Sequence, residues 1–127
     1  MIAIDSSSWI AFFSESDATG DDLALVESAL AEHQACLPPI VLVELLSDPK
    51  LPRPVAALLR QLPLLEVDPG YWERAGALRA RIVARRRRAR LADTLISQSC
   101  IDHDVRLVTR DDDFRHFARY GGLRLAL

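Results

Sequence analysis

The chain has 127 residues, half of them hydrophobic, and its 16 Lys and Arg against 18 Asp and Glu leave a formal net charge of -2. This length suits one domain with a core of its own, and the apolar fraction excludes a disordered chain. No apolar run approaches the ~20 residues that span a bilayer, and the charge balance lacks the whole-domain basicity usual in nucleic-acid binders.

In chain order, Ile2 to Ile4 predicts a short strand ending at Asp5. Three serines follow that can cap a helix carrying Trp9, Phe12 and Phe13. The MIAIDSSSWIAFF start has no basic leader and an early acid, so it reads as strand and helix rather than a signal peptide, with the cytoplasm as the expected compartment. Apolar residues at helical spacing predict a helix over Asp21–His33. CLPPIVLVELLSD predicts a brief extended piece and then a helix opened by proline. A further helix is expected over Pro52–Leu62, and a strand over LLEV, cut off by Asp68-Pro69-Gly70. Long helices are expected from Tyr71 to about Arg88 and from Asp93 to His103. RLVT (Arg106–Thr109) predicts a strand, TRDDDF a loop into a helical turn, and LRLAL, after Gly121-Gly122, a last strand. Short strands alternating with helices imply a parallel sheet with flanking helices, hence an α/β fold in one domain, residues 1–127.

Cys36 and Cys100 stand apart in apolar settings and read as small buried residues rather than a disulfide. His33, His103 and His116 have no zinc-site spacing and read as surface or helix-end residues. Lys50 is the only lysine, and arginines crowd between Arg79 and Arg90, where ARRRRARL includes the run Arg85 to Arg90. Arginine suits forked contacts to phosphate, so this stretch is either an RNA-backbone contact or a solvated helix face. Trp9, Phe12 and Phe13 are expected in the core or at a dimer contact before a base-stacking platform.

The informative acids occupy unusual places. Asp5 ends a hydrophobic strand, the edge where open α/β sheets bind ligands, though it can also simply cap the next helix. Glu44 interrupts the apolar stretch IVLVELL, so it is either a metal ligand at the rim of the core or part of a polar stripe with Ser47. Asp93 stands at the head of a helix, as an N-cap or as a carboxylate aimed at a metal, with the Thr94 hydroxyl beside it. Asp111, Asp112 and Asp113 follow a strand, and their mutual repulsion requires solvent or a cation. Carboxylates meeting over one sheet edge suit Mg²⁺ or Mn²⁺, which prefer oxygen ligands.

The order of these residues — a strand ending at Asp5 and Ser-Ser, Glu44 in VLVELLS, then LADTLISQSCIDHDVRLVTRDDDF — resembles the PIN-domain family, particularly its VapC-type toxins. The resemblance covers essentially the whole chain. It implies a roughly five-stranded parallel sheet with strand one beside strand four, and a ribonuclease dependent on Mg²⁺ or Mn²⁺. Carried over by motif, the site comprises Asp5, Glu44, Asp93 and Asp111, with Asp113 a further acid and Asp112 facing solvent. Asp5, Asp93 and Asp111 are expected as direct ligands, with Glu44 a ligand or the residue orienting the attacking water, and Asp113 supporting them. Ser6 and Thr94 are placed to hydrogen-bond a carboxylate or phosphate, or to cap their helices. Expected partners are the RNA substrate, a small antitoxin protein and a second copy of the chain; no membrane is implied.

Four rival readings stand beside this one. An inactive PIN scaffold would bind RNA or a protein without cutting. A phosphatase using Asp5 as nucleophile usually needs an acid two residues on, where Ser7 stands. A two-carboxylate glycosidase is rarely so small. A DNA nuclease would use the same metal chemistry.

Overall fold

A computed structural model describes residues 1–14 and 19–127. Three parallel strands, β1 (Ile2–Ile4), β2 (Ala35–Cys36) and β3 (Arg106–Val108), form a sheet in the order β2-β1-β3. Ala3 faces Cys36 on one side and Leu107 on the other, and Ile4 pairs with Val108. β1 therefore has a neighbour on both sides, and Ala3 and Ile4 are fully buried, as parallel sheets require. Parallel neighbours need crossovers, and the helices supply them. These are α1 (Ser6–Phe13), α2 (Asp21–Ala31), α3 (Pro39–Leu46), α4 (Arg53–Gln61), α5 (Tyr71–Ala84), α6 (Leu91–Asp102) and α7 (Phe114–Gly121). Helices α5, α6 and α7 pack on one another, α1 packs on α2 and α3, and α3 reaches α6.

The sheet corrects the expectation of about five strands. The expected strands LLEV and LRLAL make one parallel bridge each, Leu37 with Leu64 and Leu107 with Leu125. On the first edge, Leu37 donates to Pro63 O and accepts from Leu65 N, both at 2.9 Å. Pro63 has no N–H to extend the ladder, and the Asp68-Pro69-Gly70 turn follows at once. On the other edge β3 has only three residues, and in a parallel pair alternate residues turn to a given neighbour. Leu107 alone bonds outward, to Arg124 O and from Ala126 N at 2.9 Å. The expectation that strand one lies beside RLVT holds in the β1–β3 pairing.

Helix limits differ at two informative places. Helix α5 stops at Ala84 rather than near Arg88, because Arg86 takes the left-handed backbone (φ 57). Arg86 N then donates to Val83 O (2.8 Å) and Arg87 N to Ile82 O (3.3 Å), the paired bonds that close a helix end. Helix α6 begins at Leu91, two residues before the expected start, since Arg90 O accepts both Thr94 N and Thr94 Oγ1. Gly122 (φ 88) ends α7 in the left-handed region that glycine adopts freely. At Gly121 a Cβ would collide with Leu78, so that glycine lets α7 approach α5.

Trp9, Leu37, Leu78, Ile96, Phe114 and Phe117 are fully buried in one core, against which Phe12 and Phe13 pack. The three aromatics of α1 are thus core residues, with Trp9 and Phe13 stacked at 5.6 Å. Cys36 and Cys100 are buried free thiols, and burial pushes the Cys36 thiol up to about 11. Among the described residues, no helix is long and apolar enough to cross a membrane.

Candidate active site

The parallel pairing of β1 and β3 brings their carboxyl ends together. Asp5 N donates to Val108 O (2.9 Å), so Asp5 and Thr109 leave the sheet side by side. Asp5 is buried and caps α1, its Oδ2 accepting Ser7 N at 3.4 Å. The same oxygen accepts Ser7 Oγ (2.7 Å) and Thr109 Oγ1 (2.8 Å). Oδ2 is therefore saturated by three donors, and the other oxygen stays available. Asp5 thus caps α1 and stands at the carboxyl edge of the sheet.

Beyond β3 the chain turns on its own acids. Asp111 N donates to Thr109 Oγ1 (3.0 Å), and Asp113 N to Asp111 Oδ1 (2.9 Å). This folds the loop so that Asp111 and Asp113 both turn toward α6, while Asp112 is exposed. A clamp on the buried Asp22 fastens the loop from behind. Arg110 donates to both oxygens of Asp22, from Nε at 2.6 Å and Nη2 at 3.0 Å, and Ser8 Oγ adds a third bond to Asp22 at 3.0 Å. The Arg110 guanidinium holds the Asp22 carboxyl below its ordinary range.

Asp93 enters from α6. It is not the helix cap; it sits in the first turn, half-buried. Its Oδ2 is shut off from solvent and has no hydrogen-bond partner, although buried polar atoms almost always have one. Burial first, then the charges of Asp111 and Asp5, raise its pKa from 3.8 to about 6. The ligand oxygens of Asp93, Asp111 and Asp113 all lie within 4.8 Å of one another. Three acids this close, one with an orphaned oxygen, make a poor metal-free arrangement, and a hard divalent cation relieves every one of these costs. The donor set fits Mg²⁺ or Mn²⁺: it is all oxygen, with no thiolate or imidazole.

Asp5, expected as a direct ligand, and Glu44 both stand outside this trio. Glu44 lies on the exposed side of α3, while Val41 and Leu45 face the core, and it accepts Ser6 Oγ at 2.8 Å. Ser6 follows Asp5, so the hydrogen bond draws Glu44 to the same sheet edge. Thr94 does not face the site; its hydroxyl is spent on Arg90 O. The sequence reading missed Thr109 as an orienting residue and the Arg110–Asp22 clamp. A threonine closing a strand before a run of acids was the available signal for Thr109. Nothing local pointed to a pair 88 positions apart.

Arg88 is the cation nearest the trio, its Nη1 3.8 Å from Asp113 Oδ2. His33 and His103 lie at helix ends and His116 within α7, and among the described residues no histidine joins the trio.

A family model described as PIN domain matches residues 2–120. The VapC ribonuclease Mb1587 of Mycobacterium bovis is 35% identical over 99% of this chain and 98% of its own length. Ribonuclease VapC11 of Mycobacterium tuberculosis shows the same identity and coverage. Among solved structures, VapBC2 from Rickettsia felis, bound to a DNA fragment from its promoter, is similar with a TM-score of 0.71 at 21% identity, covering 98% of this chain and 97% of that one. With the family match running almost end to end and the full-length relatives in agreement, the chain belongs to the PIN-domain family.

Proposed function

We propose that the chain, as one PIN-like nuclease domain over residues 1–127, is an endoribonuclease that cuts RNA with a divalent cation, and that it is the toxin of a toxin–antitoxin pair. The observation that carries this reading is the trio Asp93, Asp111 and Asp113, with a buried Asp93 oxygen that has no partner. The names of the full-length relatives, both VapC ribonucleases, support the choice of substrate.

Asp93, Asp111 and Asp113 would hold Mg²⁺ or Mn²⁺, with the free oxygen of Asp5 completing the set. When bound, the ion would lower the pKa of a water and offset the charge of the scissile phosphate. Around it the chain's own groups have separate tasks. Ser7 and Thr109 hold Asp5 in one orientation through its saturated oxygen. The Arg110–Asp22 clamp fixes the loop that carries Asp111. Glu44, oriented by Ser6, faces the open side, where it serves as a further ligand or orients the attacking water. Hydrolysis would join the water's oxygen to phosphorus and break the P–O3′ bond, the 3′ oxygen taking a proton from solvent, to leave a 5′-phosphate and a 3′-hydroxyl.

The likeness to VapBC complexes and the VapC relatives support a small antitoxin as protein partner. Two copies of the chain are proposed to associate, and exposed Trp72 and Leu91, which border one shallow cleft, offer an apolar face for this. Cytoplasmic location belongs to the same proposal.

The test is RNA cleavage by the partner-free chain with and without Mg²⁺ or Mn²⁺, beside Asp93→Asn. Asparagine keeps the shape and removes the charge. Cleavage that needs the metal and is lost in a folded variant supports the reading. No cleavage by the parent with either ion returns the chain to an inactive scaffold.

A further inference from the structure

The acid site leaves one problem unsolved: a cluster of carboxylates repels the polyanion it is proposed to cut. Five of the 16 basic residues lie within six positions, at Arg85, Arg86, Arg87, Arg88 and Arg90. All five are exposed. They form the loop between α5 and α6, and that loop is pinned at both ends. The paired bonds from Arg86 and Arg87 close α5 at one end. At the other, Ala89 is buried and its carbonyl accepts Arg79 Nε at 2.8 Å. Arg90 then leads directly into α6, whose third residue is Asp93.

The loop runs alongside α7. Arg88 stands at the N-terminal end of that helix, against Asp113. Arg85 lies over the Tyr120 ring near the other end, 5.1 Å from its centre, and Arg119 approaches the same ring at 5.3 Å. The result is a positive ridge roughly 10 Å long, the rise of α7 from Asp113 to Tyr120, ending at the acid trio. Among the described residues, Arg88 alone of the five loop arginines forms an ion pair, and that pair is long. The other guanidiniums keep their forked donors for an outside anion, and phosphate matches that geometry.

Resting on the nuclease reading above, we propose that the Arg85–Arg90 loop grips the phosphodiester backbone of single-stranded RNA and leads it to the acid trio. Arg88 is the innermost contact, turning from Asp113 to a phosphate when RNA is bound. A single strand is the better occupant because Asp93 lies deepest in the trio, its Oδ2 closed to solvent, and a flexible backbone bends toward it where a stiff duplex cannot.

The probe is a labelled uridine homopolymer, read by fluorescence anisotropy across a salt series, on an Asp93→Asn background so that nothing is cut. Each phosphate contact on a single strand contributes about 0.7 to the slope of log affinity against log salt. Arg85→Ala with Arg88→Ala should weaken binding about tenfold at low salt and flatten the slope by about 1.4. Arg86→Gly removes a third charge while giving the left-handed position its favoured residue, so its loss of slope cannot come from unfolding. An unchanged slope in these variants overturns the proposal, and so does equal, equally arginine-dependent binding of duplex DNA. Cleavage by the chain with its acids intact separates the two readings. If it cuts RNA and the slope is unchanged, the loop proposal fails alone. If it cuts nothing but the slope depends on the arginines, the loop proposal stands and the nuclease reading fails.

Discussion

Helix α6 carries one aspartate in its first turn and another as its last residue, in opposite electrical settings. At the start, Asp93 is half-buried among other acids and its pKa is raised to about 6. At the end, Asp102 accepts Arg74 Nε and Nη2 at 3.0 and 2.7 Å and Gln98 Nε2 at 2.8 Å, and the Arg74 contacts hold its carboxyl below the ordinary range. The helix dipole alone would order them the other way, since it favours a negative charge at the first turn by about 0.3–1 kcal/mol. At Asp93 burial and the neighbouring carboxylates outweigh it, on the order of 1–2 kcal/mol once the solvent reaching a half-buried side chain is allowed for. The same contrast separates Asp93 from Asp22, which is more deeply buried yet satisfied by Arg110 and Ser8. Burial alone does not raise an acid's pKa in this fold. Burial beside other carboxylates and without a hydrogen-bond donor does.

The contrast predicts that the two ends of α6 separate activity from stability. The largest effect is expected at the unpaired end. Asp111→Asn should lower metal-dependent RNA cleavage by on the order of a thousandfold, the several kcal/mol that a catalytic ion supplies, while thermal melting stays within a few degrees of the parent. Retained cleavage would remove Asp111 from the site. At the paired end Asp102→Asn should act in reverse. It leaves Arg74 without its carboxylate, so calorimetry should show the melting midpoint falling by on the order of 5 °C, with cleavage preserved at temperatures where the variant is folded. A matching collapse of cleavage would mean that the helix transmits one end to the other.

The smallest effect concerns acid–base linkage in the metal-free protein. Folded Asp93 keeps its proton up to about pH 6, whereas the unfolded chain releases it near the ordinary value of 3.8. The group therefore costs the parent stability as pH rises from about 4 to about 6, with a constant deficit above that. Asp93→Asn should be more stable than the parent by about 1–2 kcal/mol at neutral pH, with the gap closing near pH 4. Chemical denaturation at the two pH values measures it. Asp102 has the opposite sign: its lowered pKa adds stability that is full above the ordinary carboxylate value and is lost as the pH falls from there through the lower folded value.

Much of the acid site was legible because strands and acids are adjacent in sequence. Asp5 and Asp111 each follow a short apolar strand, and parallel pairing of those strands puts the acids at one edge. Glu44 was harder to read. Helix α3 is apolar nearly all round, so an acid within it looks buried; only Val41 and Leu45 are, and Val43 is 60% exposed. Asp93 resembled a cap because the helix start was set two residues late, and the bonds that start it run to the carbonyl of Arg90. Edge strands failed for a related reason: LLEV and LRLAL have strand composition, but each meets a partner that offers a single outward-facing residue. Contacts such as Thr109 to Asp5, 104 positions apart, leave no local pattern at all.

The central claim is that the acid trio of Asp93, Asp111 and Asp113 holds a divalent cation. The most direct measurement is calorimetric titration of Mn²⁺ into the partner-free chain and into Asp93→Asn, without RNA. The account predicts saturable binding by the parent, accompanied by proton release below about pH 6 as Asp93 is deprotonated, and binding at least tenfold weaker in the variant. Equal binding by both proteins, or none by the parent in the millimolar range, would contradict it.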